Sequence, residues 1–481
     1  MTEAARSSIA RNSIIMLLAQ VVIKLLGFFF TLYAARILGV ELFGQYGLVL
    51  AIITFFGVIS YSGLDIYQTR QTAVLIDKSK VGRLIGDSFL ARALIGAALI
   101  IIIYLVSIFM NRPLSFKVFL WLSAMAMAIN FLMGAFSSAL LGYERFKLFG
   151  YLAMGTQTLT TILGILVLYI GFGLTGIGIA FVFASLISTI IIGLVVIKRV
   201  CRISAGFNWQ NALKILYDAA PLAGAAILAT IYYKADFIML SYFKGDKAVG
   251  YYNSAYALIN GLLLVSTSLR ATLLPRMAGY FVSDQEKLDR LYHIGFKYML
   301  YIGLSAAIGA VILAEPIFQL VYPQAYQPGA AALKILIWAL ALMFVNTLQG
   351  AHLIARDYKK QLMCITGLGA ILNIGLNLIL IPKYSFTGAA LATVITELMT
   401  GAGFFFILRS HLSLRQLFLW LLQLLPPLIV MILFLIYIPD LPVVACVIIG
   451  AGIILTGLVT TRGLTGRDLG YIANLFPWGK N

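Results

Sequence analysis

Apolar residues fall in long runs separated by short polar strips, and the runs set the elements. About twenty apolar residues cross a hydrocarbon core as a helix. On that rule the runs predict helices over 13–35, 45–67, 88–109, 118–141, 150–170, 175–197, 215–242, 248–270, 296–315, 329–350, 362–381, 389–408, 420–438 and 443–461. None shows the apolar-out, polar-in alternation of an outer-membrane barrel. The expected fold class is all-α, a polytopic membrane protein with about 14 transmembrane helices.

Composition agrees. Of 481 residues 62% are hydrophobic and 11% charged, where a soluble chain has about 45–50% and about 25%. The net charge of +18, from 35 Lys+Arg and 17 Asp+Glu, would suggest nucleic acid in a soluble protein. Its distribution gives another reason. With a cytoplasmic N-terminus, the inside segments carry 23 Lys/Arg and the outside loops six, the other six, Lys297 at the edge of its span among them, lying within spans. By the positive-inside rule both termini are expected in the cytoplasm, and no nucleic-acid partner is needed. Arg6 and Arg11 precede a run from Ser13 to Ala35, too long for a signal-peptide core. Cys364 and Cys446 lie in apolar runs and Cys201 in a basic loop, which is no disulfide framework.

The chain repeats itself. Gly39-Val-Glu-Leu-Phe-Gly44-Gln-Tyr46 follows the first span, and Gly245-Asp-Lys-Ala-Val-Gly250-Tyr-Tyr252 follows the seventh. A second offset pairs Phe146-Lys147 with Tyr358-Lys359 and Thr175-Gly176 with Thr387-Gly388. Two copies of a six-span unit are therefore expected, at 1–205 and 206–411, with 412–481 adding two helices and a cytoplasmic tail. Six spans per copy means both enter the membrane in the same sense, related by an axis along the membrane normal. In such transporters the substrate site lies between the halves.

Two segments carry a resemblance. Ala35-Arg36-Ile-Leu-Gly39 through Gly44-Gln-Tyr46 is one. The other runs from Tyr233-Lys-Ala-Asp236-Phe-Ile-Met-Leu240, through Ala248-Val-Gly250-Tyr-Tyr-Asn-Ser-Ala255-Tyr256, to Leu274-Pro275-Arg276. Together they resemble the polysaccharide transporter family of the multidrug/oligosaccharidyl-lipid/polysaccharide exporter superfamily, the O-antigen and exopolysaccharide repeat-unit flippases. Val40-Glu41 stands where that family often has a proline. The resemblance implies a V-shaped pair of six-helix bundles, alternating access in the cytoplasmic (inner) membrane and a polyprenyl-pyrophosphate-linked glycan as cargo. A polysaccharide polymerase and a chain-length regulator are the protein partners it implies.

Charged groups inside the spans are the candidate chemistry. Lys24, Arg92, Lys234, Arg270 and Lys334 would together cost on the order of 12–17 kcal/mol facing lipid, so the deep ones should face a cavity. Gln20, Lys24, Gly27 and Thr31 share one helical stripe. Asn253, Tyr256, Asn260, Thr267 and Arg270 share another, and Thr230, Lys234, Phe237 and Ser241 a third. Gln157, Thr160 and Thr161 in span five and Asn373 and Asn377 in span eleven add polar positions. Lys24, Lys234, Arg270, Gln20 and Asn260 are the candidate substrate-binding residues, against structural pairing for Lys24, interfacial anchoring for Lys234 and Arg270, and plain interhelical hydrogen bonds for the amides. Arg92 and Lys334 lie near span ends and are expected to snorkel, and Asp65 to be solvated or paired with Arg70. Asp236 is expected to pair with another helix. Glu397, mid-span with Thr393 and Thr400 on its stripe, is a candidate ion-coupling site or else a hydrogen-bonded structural acid.

His293, His352 and His411 lie near inside loops without ligand spacing, and Gly171-Phe-Gly-Leu-Thr-Gly176 reads as a turn rather than a phosphate loop. No catalytic constellation, metal site or cofactor motif is expected. A membrane polymerase or ligase would need catalytic groups in a large outside loop, and 316–330 holds no Lys, Arg or His. A multidrug exporter of the superfamily would favour acids in the first bundle. A lipid II flippase would carry several arginines in the first two spans. The lipid-linked glycan flippase is the expected function, with these relatives as alternatives.

Overall fold

The computed structural model describes residues 3–59, 63–75, 77–201, 208–438, 441–466, 468 and 470, and the side chains of these apart from 3–14, 17, 59, 78, 221–229 and 231–233. The described residues form helices and no strands. In order these are α1 (Glu3–Ile59), α2 (Asp65–Val74), α3 (Lys78–Phe109), α4 (Leu114–Gly142), α5 (Phe146–Tyr169), α6 (Gly173–Arg199), α7 (Trp209–Ser283), α8 (Gln285–Val321), α9 (Gly329–Ala355), α10 (Lys359–Leu408), α11 (Leu414–Tyr437) and α12 (Val443–Thr460). Eleven are long and apolar enough to cross a membrane. Three of these are broken midway, α1 at Gly39, α7 at Gly245 and α10 at Ser385. Each broken helix covers two of the spans expected from the sequence, and the chain is an all-α polytopic membrane protein.

Short polar devices start the helices between apolar runs. Asp77 accepts from the Ser79 amide at 2.9 Å and Asp284 from the Lys287 amide at 3.0 Å. Ser413 and Gln416 close a capping box on α11. Between spans, glycine lets backbones approach, as membrane helices require. A Cβ on Gly96 would lie 3.1 Å from that of Ala128, and one on Gly303 3.0 Å from the Ala341 Cα.

The segments paired in the sequence share backbone geometry. Gly39 (φ 72°, ψ 172°) and Gly245 (φ 79°, ψ 178°) answer one another across 206 positions. At the other offset, Gly173 and Ser385 both have φ 55°. The turns after α4 and α9 match bond for bond. Arg145 N donates to the Leu140 carbonyl and Tyr358 N to the Leu353 carbonyl, with Glu144 (φ 55°) and Asp357 (φ 62°) as the left-handed residues.

Met1–Gly250 and Tyr251–Asn481 form two compact units. In the first, α7 begins against Leu64 and Ala91 through Ala212, Ile215 and Ala219. The Gly245 break is tied to the α3–α4 connection, where Arg112 pairs with Asp246 at 2.7 Å and reaches Ser241 at 2.5 Å. A Cβ on Gly44 would run into the Asp246 carbonyl, and one on Gly250 into that of Val40. In the second, Tyr301, Leu424, Leu428 and Met431 pack with Ile454 and Leu458, joining α11 and α12 to α8.

Several expectations change. Of the helix expected over 45–67, the described part of α1 runs to Ile59 and α2 starts at Asp65, with residues 60–62 lying outside the described residues. With sequence Asp-Ile-Tyr-Gln-Thr-Arg-Gln-Thr-Ala-Val, α2 is too short and polar to span. Arg92 does not snorkel. It is 0% exposed and pairs with Asp65 at 2.6 Å, so Asp65 is not the partner of Arg70. Arg92 also donates to Ser88, Gln68 and the Phe131 carbonyl. Internal partners replace water for both charges, which removes the drive to reach an interface. Lys334 is held by Glu315 at 2.7 Å.

Candidate functional site

The first candidate surface is a strip of α1. At about 100° per residue, Gln20, Lys24 and Thr31 fall within about 40° of one another. Ala19 and Phe30 are buried beside α5, where Cβ atoms placed on Gly150 and Gly164 would meet them. The apolar residues left exposed, Leu18, Val22, Leu25 and Phe29, centre about 150° from the polar strip. Gln20 and Lys24 are exposed on their own side. α1 therefore has three faces: one buried, one apolar and exposed, one polar and exposed. Gly27, a turn beyond Lys24, lies beside Gln157 of α5, whose amide donates to Thr161 at 3.3 Å.

The second half of α7 is built the same way within its own unit. Ala255, Ile259, Ser266 and Leu273 are buried. Asn260, Thr267 and Arg270 are exposed on a different face, about 160° from the exposed Leu262 and Val265. Tyr256 of the same stripe is buried. Lys234 is half-buried with its ammonium 5.0 Å from the centre of the Phe237 ring. Asp236 is buried and accepts from the Phe237 amide at 2.9 Å.

Glu397 is 2% exposed. Asn346 of α9 donates to its Oε2 at 2.8 Å and to its backbone carbonyl at 2.9 Å. Gly401 makes room for that contact, since a Cβ there would lie 2.5 Å from Asn346 Oδ1. Thr393, on the Glu397 stripe, bonds the Ala389 carbonyl at 3.0 Å. Nearby on α10, Asn373 donates to Thr396 at 3.3 Å and Asn377 to Asn373 at 2.8 Å. Asn346 was missed in the sequence, although its only signal was plain: an amide inside an apolar span.

The three histidines converge. His293 contacts the His411 carbonyl, and Arg356 joins His352 at 2.8 Å, Asp289 at 2.5 Å and His411 at 3.2 Å. Among the described residues no group of His, Cys, Asp and Glu is arranged to hold a metal.

Known proteins agree with this architecture. A lipid II flippase, MurJ, in its inward closed conformation superposes with a TM-score of 0.77 at 16% identity, over 95% of this chain and 99% of that one. An inward-facing multidrug resistance transporter of the MATE family superposes at 0.70 and 16%, over 83% and 98%. At such identity the likeness is one of fold. By sequence, the chain is similar to a protein of Haloferax volcanii described as a probable flippase, at 26% identity over 46% of this chain and 48% of that protein. It is also similar to a Staphylococcus aureus capsular polysaccharide biosynthesis protein, at 25% over 41% and 50%. The match thus spans about half the length of these relatives. A model described as MatE matches residues 221–379. The model described as polysaccharide biosynthesis protein matches residues 9–281, more than half of the chain, which therefore belongs to that family.

Proposed function

We propose that the protein is a transporter, not an enzyme, that flips a polyprenyl-pyrophosphate-linked oligosaccharide across the cytoplasmic membrane by alternating access between two six-helix repeats, 1–205 and 206–411. The observation that carries this reading is the polar strip with Lys24 on α1, which its own unit leaves exposed and which lies apart from the exposed apolar face. A lysine there facing lipid would cost about 2.5–3.5 kcal/mol. The names of the relatives support a glycan cargo.

The glycan varies between systems, so the pyrophosphate is the shared recognition element. It brings about two negative charges to a site partly removed from water, where a cation within about 4 Å contributes several times its value in bulk. Lys24 is its first contact, with Lys234 and Arg270 contributing and Gln20 and Asn260 taking sugar hydroxyls or phosphate oxygens. The test is restoration of surface glycan in a flippase-null strain, with membrane abundance measured for every variant. Lys24→Ala should impair export, Lys24→Asp should abolish it, and Lys24→Arg should keep much of it. Normal export by Lys24→Asp at normal abundance would refute the cationic site. The 23-to-6 bias supports a cytoplasmic position for both termini, and labelling of a cysteine beyond Arg462 from outside would overturn that orientation.

A further inference from the structure

Unit 2 carries an apolar groove of about 960 Å³ bounded by α8, α9, the second half of α10 and the start of α11. Along α10 it runs from Val394 to Arg409, a length of about 22 Å at 1.5 Å per residue. One hydrocarbon leaflet is about 15 Å thick, so the groove is deep enough to take a whole acyl chain. Leu304, Trp338, Leu398 and Phe405 line its length.

Its chemistry is asymmetric. Arg409 is the one charged residue among the described lining residues, and it sits at the end of the groove closed by the α10–α11 connection. Its guanidinium lies 4.6 Å from the centre of the Phe406 ring, and no carboxylate among the described residues pairs with it. No acid occurs between Glu397 and Asp440, whereas Arg415 follows close behind. Gln349, 1% exposed, lines the groove, and its Oε1 has no hydrogen-bond partner among the described residues. The groove therefore offers an apolar trough, a cation at its mouth and a buried amide acceptor inside.

We propose that this groove is a binding site for one anionic glycerophospholipid, its acyl chain along α10 and its phosphate at Arg409. One guanidinium matches the single charge of a phosphodiester, whereas a pyrophosphate lipid brings about two. The orientation drawn from the basic residues puts this end in the cytoplasmic leaflet, where anionic lipid is enriched. The site lies wholly within unit 2 and does not depend on which cargo the protein carries.

Full-length protein is purified in detergent, and brominated phosphatidylglycerol or phosphatidylcholine is titrated while tryptophan fluorescence is read. Trp338→Phe identifies the groove signal. Phosphatidylglycerol should quench Trp338 saturably and phosphatidylcholine more weakly. Arg409→Gln should weaken phosphatidylglycerol about fivefold, the scale of one basic residue at an anionic surface, and leave phosphatidylcholine unchanged. Ala402→Phe, projecting from an exposed groove position, should remove the quenching in protein that stays monodisperse. If it does not stay so, the exposed Arg409 variant still decides. Equal affinity for the two lipids, or unchanged phosphatidylglycerol binding in Arg409→Gln, overturns the proposal. So does displacement of phosphatidylglycerol by an equal concentration of polyprenyl pyrophosphate, which would assign the groove to the cargo.

Discussion

Gly39 and Gly245 hold one backbone conformation, φ 72° with ψ 172° and φ 79° with ψ 178°, in helices that are otherwise continuous. That region is essentially open to glycine alone, and a side chain forced into it costs about 1–3 kcal/mol. The shared G-x4-G-x-Y segment is thus a hinge built twice, its second glycine required by the close approach of Val40 to Gly250 and of Asp246 to Gly44. Gly39→Ala and Gly245→Ala should each lower the unfolding temperature in detergent. Gly375→Ala, within α10 with nothing near its Cβ position, should leave it unchanged or raise it. Equal effects at all three positions would mean that the hinge geometry is not a constraint.

The Arg92–Asp65 pair should behave as a buried ion pair. Removing one partner leaves a charge with nothing to compensate it, at about 3–5 kcal/mol, whereas removing both costs much less. Arg92→Leu and Asp65→Leu should therefore each reduce membrane abundance and thermal stability, and the double variant should recover part of the loss. Gly134→Ala should mimic the single variants, because its methyl would occupy the place of the Arg92 guanidinium. Additive losses in the double variant would show that the two residues do not act as a pair.

These two features show what was legible in the sequence. The spans were, because a hydrocarbon core selects for length and apolarity and both are local properties. The pairing of Gly39 with Gly245 was, because glycine at a positive φ leaves a mark that few other residues can replace. The boundary at 382–388 was too, although the positive φ of Ser385 leaves no mark of its own and shows only in its alignment with Gly173. Arg92 was misread because distance from a span end says nothing of partners supplied by α2 and α4. Asn346 was missed as the partner of Glu397, and the convergence of three histidines with Asp289 and Arg356 was not visible. Both depend on contacts between residues far apart in the chain.

Asp468, beyond the last span, accepts from Lys297 at 3.0 Å and Tyr298 at 3.0 Å. Burial pushes its carboxyl up, but the Lys297 hydrogen bond and charge, with Thr465 and Tyr298, hold it below the usual carboxylate value of 3.8. A lowered folded pKa gives stability that is present above the unfolded value and lost as pH falls through the folded one. Asp468→Asn should then be less stable than the parent at neutral pH and at about pH 5, and the gap should close only below about pH 4. A gap that stays constant down to about pH 2 would mean that the carboxylate charge is not what anchors this segment.

The last expectation concerns Glu397, which we propose as an ion-coupling group. Its buried carboxylate receives the Asn346 amide at 2.8 Å, and Asn346 also holds the Glu397 backbone carbonyl. Glu397→Gln keeps the volume and can still offer an oxygen to Asn346, so the fold should tolerate it. Asn346→Leu should instead destabilise the protein by about 1–3 kcal/mol, because it removes the two amide hydrogen bonds to Glu397 in a buried setting. That loss is expected whether or not Glu397 couples to an ion. The two variants therefore separate a structural role from a transport role. In vesicles with an imposed proton or Na⁺ gradient, Glu397→Gln should flip lipid-linked glycan at a rate that no longer responds to the gradient, while its thermal stability stays near that of the parent. Normal gradient dependence in Glu397→Gln would make the acid a packing element between α9 and α10, and the coupling ion would have to bind elsewhere.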